Sequence, residues 1–161
     1  MSSEAGSAYQ LHVGYHKGWL GNIGGYYAGA PQLYEDRDAH GEGLLYLRGV
    51  WIAYPDSILH GRPTQSYDDY VILKVMARGL SVETGPARGE PVRVRVLLDG
   101  KPVPSSARGQ DLSLAEDGQS YLQVDSPRAY HLFLLAGSGV HEVALSSNSS
   151  SFSLSAFTVL P

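Results

Sequence analysis

The chain lacks helical periodicity, and this feature restricts its fold more than any other. In no window of about 11 residues do apolar side chains recur at the i, i+3, i+4 and i+7 positions without an intervening Gly or Pro. Short runs of β-branched, aromatic and apolar residues recur through the second half instead, each bounded by Gly, Pro, Asp or Ser. This pattern predicts an all-β protein.

The clearest strand is Val92–Leu98. Its even-numbered positions are Val or Leu, and Arg93 and Arg95 lie between them, which is typical of a strand with one buried and one solvated face. Asp99-Gly100 follows directly, and both residues tolerate the positive φ that a two-residue hairpin turn requires. We therefore expect a hairpin with a short return strand at residues 101–103.

The remaining strand-like runs extend the same pattern along the chain. They cover residues 44–47, 50–54, 70–77, 80–83, 111–114, 121–124, 129–135, 140–145 and 152–159. A bend at 78–79 and a tight connection at 137–139 are expected to separate neighbouring runs. Strands at this spacing with antiparallel turn signals predict an antiparallel β-sandwich of the jelly-roll type. The helices that a parallel βαβ architecture would need are missing.

A chain of 161 residues with 43% apolar residues has the size and composition of one domain with its own core. We assign the sandwich to residues 9–161. Residues 1–8 are small and polar, so they are predicted to be a linker or tail, and they lack the apolar segment of a signal peptide. We expect the natural gene product to extend beyond residue 1. Residues 14–43 are rich in Gly and Tyr and predict a long ordered loop.

Composition and motifs argue against several classes of function. The net charge of −4 provides no excess of cations for nucleic acid, and no apolar run approaches the length of a membrane span. Without Cys, the chain holds no thiol nucleophile and no Cys-based zinc site. There is no Gly-x-Ser-x-Gly elbow or phosphate-binding loop, and Asp56, Asp68 and Asp69 show no spacing that selects a catalytic pair. We therefore expect no enzymatic activity.

The aromatic residues are distributed unevenly. Residues 1–70 hold 11 of the 13 Tyr and Trp residues, whereas the three Phe residues lie at 133, 152 and 157. Tyr and Trp combine an apolar face with a polar group, which suits binding surfaces, whereas Phe belongs in a core. Rings that stack on sugars beside planar polar groups are what a carbohydrate site needs. The candidate residues for such a site are Tyr15, Trp19, Asn22, Tyr26, Tyr27 and Tyr34.

Two other interpretations of the loop remain open. The same rings would serve equally well to cover the sandwich, or to pack against an adjoining domain or a second copy of the chain. Glu35, Asp36 and Asp38 form a weak candidate site for a structural calcium ion, although an acidic turn in water is the commoner explanation. The histidines are scattered, and we expect no other cofactor or metal.

An ordered series of segments resembles one known family. The series comprises His12-Val13-Gly14-Tyr15, the segment 47–51, residues 72–80 with Ala77-Arg78, residues 92–100, Pro127-Arg128-Ala129-Tyr130-His131-Leu132, residues 141–145 and Ala156-Phe157-Thr158. Over residues 9 to 159 the chain resembles the C-terminal domain that follows the thioredoxin-like domain in DipZ-type proteins and related bacterial thioredoxin-family fusions.

The resemblance implies a jelly roll similar to a carbohydrate-binding module, with no catalytic residues. It implies an accessory role beside a thioredoxin-like domain and an extracytoplasmic location, periplasmic or at the cell surface. The expected function is therefore non-catalytic binding of a cell-wall or extracellular glycan. The alternative is a structural or interaction domain that forms a homodimer or docks to a neighbouring domain, and the sequence does not separate the two.

Overall fold

The computed structural model describes residues 6–161, and this part of the chain is built from β-strands. The strands are β1 Tyr9–His12, β2 Gln32–Tyr34, β3 Leu45–Ala53, β4 Ile58–His60, β5 Tyr70–Pro86, β6 Val92–Leu98, β7 Lys101–Pro102, β8 Leu112–Leu114, β9 Ser120–Val124, β10 Arg128–Ser147 and β11 Phe152–Leu160. Their pairings between strands are antiparallel. Residues 1–5 of the predicted linker lie outside the described residues. No helix able to span a membrane occurs within residues 6–161.

Two long strands organise the architecture. β5 and β10 have 17 and 20 residues and pair with each other along most of their length. The first part of β5 also pairs with β3, and its second part pairs with β11. The second part of β10 pairs with β6, which continues to β9 and β8. The hydrogen-bonded sheet thus folds over on itself into the predicted antiparallel sandwich of the jelly-roll type.

The strand with the clearest sequence pattern has the predicted register. Val92, Val94, Val96 and Leu98 of β6 are buried, whereas Arg93 is exposed and Arg95 and Leu97 are half-buried. The turn that follows has φ angles of 52° at Asp99 and 80° at Gly100, as a primed hairpin turn requires. The return strand β7 pairs with the end of β6.

Two predicted strand breaks are wrong. β5 continues through residues 78–79, because Gly79 pairs with Leu134 of β10 on one side and with Leu160 of β11 on the other. β10 likewise continues through residues 137–139, with a register shift between Leu134 and Gly139. The extra residues of β10 are accommodated as a bulge, which bends a strand without ending the ladder. Gly137 and Gly139 therefore mark a bulge within the long strand β10 and not a turn between two strands.

The first half of the chain contains more strand than predicted. β2 lies inside the predicted loop and pairs with β3, and β4 pairs with both β3 and β11. Each of these strands has only three residues, which is too short for an alternating pattern to show in the sequence. The predicted runs 44–47 and 50–54 are one strand, β3, which passes through Gly49 at φ 99°.

The core lies between the two layers. Phe133, Phe152 and Phe157 are buried there as predicted, together with Trp51. The Trp51 ring contacts Phe152 with centroids 6.0 Å apart, and its Nε1 donates a hydrogen bond to the Arg48 carbonyl at 2.9 Å. The one polar group of the buried Trp is therefore satisfied within the protein, and the ring serves the core.

Candidate functional site

The Gly- and Tyr-rich loop runs alongside β3. Leu20 forms a parallel bridge with Leu45 at one end of that strand, and Ala28 forms a parallel bridge with Ala53 at the other. The loop is therefore fixed at two points that are eight residues apart along β3, about 26 Å in a straight strand. Side chains close to Leu20 and close to Ala28 belong to different ends of this segment.

Asn22 holds the middle of the loop and is not available to a ligand. It is 8% exposed. Its Nδ2 donates to the carbonyls of Leu47 and Glu35 at 2.8 and 2.9 Å, and its Oδ1 accepts from the Leu47 amide at 2.8 Å. The Asn22 side-chain amide thus forms with Leu47 the two hydrogen bonds that the backbone of a neighbouring strand would otherwise form at this edge of β3. The prediction that Asn22 hydrogen-bonds a sugar is wrong, because a buried amide with these three partners has none to spare.

Two of the candidate tyrosines also have structural roles. Tyr34 is 3% exposed in the core, and its hydroxyl accepts a hydrogen bond from the Tyr27 amide at 3.0 Å. Tyr26 packs partly buried against the core, and its hydroxyl accepts from the Gly14 amide at 3.3 Å. Burial raises the pKa of Tyr26 to about 12. Burial removes Tyr34 from the predicted site, whereas Tyr26 stays half-buried with its hydroxyl already engaged by the protein.

Tyr15, Trp19 and Tyr27 are the candidates that stay exposed, with 43%, 79% and 49% of their surface accessible. They do not form one platform. Trp19 adjoins the bridge to Leu45, whereas Tyr27 adjoins the bridge to Ala53. Tyr15 lies between the two: its amide donates to the carbonyl of Tyr54, the residue after β3, at 3.1 Å, and the turn that carries it, closed by the Gly18 amide donating to the Gly14 carbonyl at 3.0 Å, leads directly to Trp19. A ligand at Trp19 therefore meets a different set of neighbours from a ligand at Tyr27.

Trp19 stands at the edge of a groove, which we call the Trp19 groove. The cavity measures about 240 Å³, and Gln10, His12 and Lys17 are the polar residues among those that line it. Leu45, Leu73 and Phe157 contribute apolar surface from the sandwich. The groove therefore offers one broad aromatic ring beside several hydrogen-bonding groups carried by β1 and the loop.

The predicted calcium ligands are divided by the structure. The carboxylate of Asp36 lies with Asp38 and His40 in a group whose ligand atoms are within 4.8 Å of one another, and Glu35 is not a member. Asp36 accepts a 2.5 Å hydrogen bond from the Tyr70 hydroxyl and lies 2.8 Å from His40 Nε2. The other ring nitrogen of His40 lies 2.5 Å from a carboxylate oxygen of Glu142. Protein partners thus already engage both nitrogens of the imidazole.

The contacts within this group shift the pKa values of His40 and Asp36. Burial opposes charge on His40, but hydrogen bonds to Glu142 and Asp36 outweigh that effect and raise its pKa above the ordinary value. Burial likewise opposes charge on Asp36, but hydrogen bonds from Tyr70 and His40 lower its pKa overall. The group therefore favours the protonated form of the imidazole between two carboxylates, and it ties the end of the loop to β5 and β10.

The strand register creates a second surface that the sequence pattern did not reveal. Arg48 is paired with Tyr70, Tyr70 with Ser146, Ser146 with Arg95, and Arg95 with Tyr121. Directly opposed residues of neighbouring strands point to the same face, so these five side chains form one row across β3, β5, β10, β6 and β9. We call it the Arg–Tyr row. Only the outward position of Arg95 was evident from the sequence.

The segment before β5 closes one side of this row. Tyr67 has a φ of 54°, which is unusual for a residue with a bulky side chain, and its amide donates to Asn148 Oδ1 at 2.9 Å. Buried Asp69 fixes the same segment through Arg62, whose Nε and Nη2 donate at 2.8 and 2.7 Å, and through His60 Nε2 at 2.9 Å. The Tyr67 ring is thereby held 5.7 Å from the ring of Tyr121.

Comparison with known proteins gives a family and a fold. The family model described as "Thioredoxin like C-terminal domain" matches residues 11–159. No curated protein sequence matches the chain. Among solved structures, a family two carbohydrate esterase from Cellvibrio japonicus is similar with a TM-score of 0.51 and 15% identity, over 95% of this chain. The chain spans about a third, 33%, of the length of that esterase, so the likeness concerns the β-sandwich fold.

Proposed function

Since this chain belongs to the thioredoxin like C-terminal domain family, we propose that it is a non-catalytic accessory domain that binds carbohydrate. The observation that carries the proposal is Trp19, which is 79% exposed at the edge of a groove. A ring of this size in water costs free energy unless something covers it, because apolar surface is poorly hydrated. A sugar ring covers such a surface with its CH groups.

The groove also offers the polar groups that a sugar needs. Gln10 and His12 lie on β1, which pairs in register with β11, and Lys17 lies on the turn before Trp19. Amide, imidazole and ammonium groups hydrogen-bond to hydroxyls while the ring fixes the orientation of the sugar. Because β1 is anchored to the sandwich, these groups are held in place before the ligand arrives. A pre-organised site loses less entropy on binding.

The cellular setting completes the proposal. The ligand is a cell-wall or extracellular glycan, the domain works on the extracytoplasmic side, and it is accessory to a thioredoxin-family protein. The family assignment supports the last point. The fold is shared with a chain from a carbohydrate esterase, which supports a scaffold suited to sugars without specifying one.

Titration of the domain against neutral cell-wall polysaccharides tests the proposal. We expect Trp19→Ala to reduce the affinity at least about tenfold, as removal of a central aromatic contact does. Tyr27→Ala is the matched control, because it removes an exposed ring at the other end of β3, and it should change the affinity less than twofold. Absence of binding by the wild type, or equal loss in the two variants, would refute the proposal.

One observation favours the alternative, an interaction domain. Ile23 and Leu33 are 72% and 63% exposed in the same region, and aliphatic side chains contribute to protein interfaces more readily than to sugar sites. Sedimentation at micromolar concentration separates the two functions. A dimer that dissociates in an Ile23→Ser and Leu33→Ser double variant supports assembly, whereas a monomer that retains Trp19-dependent glycan binding supports the carbohydrate site.

A further inference from the structure

Three arginines at the Arg–Tyr row form no direct salt bridge in the described part of the chain, although Asp117 lies close enough to Arg93 to interact with its charge and Arg48 also borders a pocket lined by aspartates. Within residues 6–161, Arg48, Arg93 and Arg95 form no ion pair, whereas Arg62 and Arg128 each contact an aspartate at 3.0 Å or less. Arginine on a protein surface is often paired with a carboxylate, because its planar fork matches two oxygens. Three neighbouring guanidinium groups without such a partner form a surface suited to an external anion.

Aromatic rings hold these guanidinium groups in place. The distances from the guanidinium carbon to the ring centroid are 3.5 Å for Arg93 over Tyr121, 5.1 Å for Arg95 over Tyr67 and 5.9 Å for Arg48 over Tyr70. A cation over an aromatic face is stabilised by the ring quadrupole and loses side-chain freedom. The arginines are therefore pre-oriented, and their N–H groups stay available for hydrogen bonding.

Within residues 6–161, Arg95 is the clearest example of a guanidinium group whose N–H donors lack a protein partner. Its Nε is buried and has no hydrogen-bond partner among the described residues, and its terminal nitrogens are neither buried nor bonded to a protein acceptor. The side chain also lines a cavity of about 370 Å³ together with Arg48, Tyr67 and Tyr70. The donors of Arg95 thus lie at a groove on the sheet face, where an incoming acceptor would satisfy them.

We propose that this groove binds a carboxylated polysaccharide. Three strand-to-strand steps separate Arg48 from Arg95, which is about 14 Å at the usual strand spacing. An extended ligand that carries acidic groups at intervals along its chain can engage both arginines at once. Sugar rings fill the space between them above the small side chains of Ala144 and Ser146.

Nearby acidic groups limit the charge density that the groove accepts. Glu142 lines it but is bonded to His40, and Asp68 is exposed at its edge. With the net charge of −4, these carboxylates oppose nucleic acid, which carries a phosphate charge every ~1.7 Å of duplex. A polyuronate, with one charge per sugar ring, is repelled less. The groove shares no lining residue with the Trp19 groove, so this site is independent of the proposed function.

Calorimetric titration with polygalacturonate, with its methyl ester and with duplex DNA tests the proposal. We expect binding of polygalacturonate that weakens as NaCl rises, and no binding of the ester, whose carboxylates are neutralised. R48Q/R95Q should lose at least about tenfold in affinity for each arginine, since a hydrogen bond to a charged group is worth about 1.5–3 kcal/mol. R78Q/R88Q removes the same charge outside the groove and should change the affinity less than twofold.

Two further variants make the outcome decisive. R48K/R95K keeps both positive charges but lacks the planar set of guanidinium N–H donors, so it should bind polygalacturonate more weakly than the wild type. This comparison remains informative even if R48Q/R95Q is unstable. Trp19→Ala should retain full affinity for polygalacturonate. Equal binding of the ester, stronger binding of DNA, equal loss in R78Q/R88Q or full affinity in R48K/R95K would each overturn the proposal.

Discussion

The Trp19 groove and the Arg–Tyr row are built from different kinds of structure. Trp19 lies on a loop, and its position depends on the bridge at Leu20 and on the buried amide of Asn22. The row lies on five hydrogen-bonded strands, and the position of each side chain is fixed by its pairing partner. Loop attachments are few and local, whereas a sheet register is held by many bonds at once.

This difference predicts how each surface responds to change. Loss of one attachment should displace the Trp19 groove while the sandwich stays folded, because loops open at lower free energy than core strands. The row should be lost only when the sheet itself unfolds. Substitutions in the loop should therefore weaken binding at the Trp19 groove alone, whereas binding at the Arg–Tyr row should be lost only together with the folded state.

The largest effect should come from the layer beneath the row. Val94 is fully buried on the inner face of β6, so Val94→Asp places an unpaired carboxylate in the core, at a cost of several kcal/mol. That cost is comparable with the whole stability of a small domain. We expect the far-ultraviolet circular dichroism spectrum of an unfolded chain and the loss of both surfaces.

Arg95→Ala is the control for that variant. It changes the neighbouring residue on the outer face and should cost only about 1 kcal/mol in urea unfolding, since the half-buried side chain loses its contact with the Tyr67 ring but leaves no charge in the core. A larger loss for Arg95→Ala than for Val94→Asp would contradict the register of β6.

An intermediate effect is expected from Asn22→Ala. The substitution leaves the amide and carbonyl of Leu47 without their partners, and unsatisfied buried groups cost about 1–3 kcal/mol each. The free energy of unfolding should fall by roughly 2–4 kcal/mol in urea. Binding at the Trp19 groove should weaken, while polygalacturonate binding by the folded variant stays unchanged. Equal loss at both surfaces would show that the loop and the sheet are not separable.

The smallest effect concerns pH and the group that joins the loop to the sheet. The raised pKa of His40 means that its contribution is complete below its unfolded value of 6.5 and is lost as pH rises through the folded value. The lowered pKa of Asp36 means that its contribution is complete above 3.8 and is lost as pH falls through the folded value. Stability measured by urea unfolding should therefore be greatest between these limits.

A histidine substitution isolates the alkaline limb of that curve. His40→Gln should remove the decline above pH 6.5 that His40 causes, while the acid decline remains. His16→Gln is the control, because His16 is exposed and its ring lies 3.6 Å from an exposed Asp56. An alkaline decline that persists unchanged in His40→Gln would contradict the role assigned to the His40 group.

Part of this molecule could be predicted from local patterns. The register of β6 follows from its alternation, and the turn at Asp99-Gly100 follows from the φ angles that these residues tolerate. The number of core strands was approximately right, but two breaks were placed at glycines that lie inside β5 and β10. A glycine has the same local preference in a bulge as in a turn, and only the partner strands decide between them.

The exposure of the candidate residues could be predicted only in part. Tyr15, Trp19 and Tyr27 are exposed, whereas Asn22 and Tyr34 are buried. All five residues are Tyr, Trp or Asn, types that suit a binding surface, so their chemistry does not distinguish them. Burial depends on whether β3 lies against the residue, and β3 begins more than ten positions after Tyr34.

Local sequence patterns were enough to indicate an all-β chain, its clearest strand and turn, and the concentration of aromatic rings in the first half, because these depend on residues close together in the chain. Strand pairing was needed to show that Trp19 and Tyr27 adjoin opposite ends of β3, and that Arg48, Tyr70, Arg95 and Tyr121 share one row. Strand pairing brings these residues together through bonds between distant segments. The identity of an outward-facing residue carries almost no information about its partner across the sheet, since packing and burial set the register.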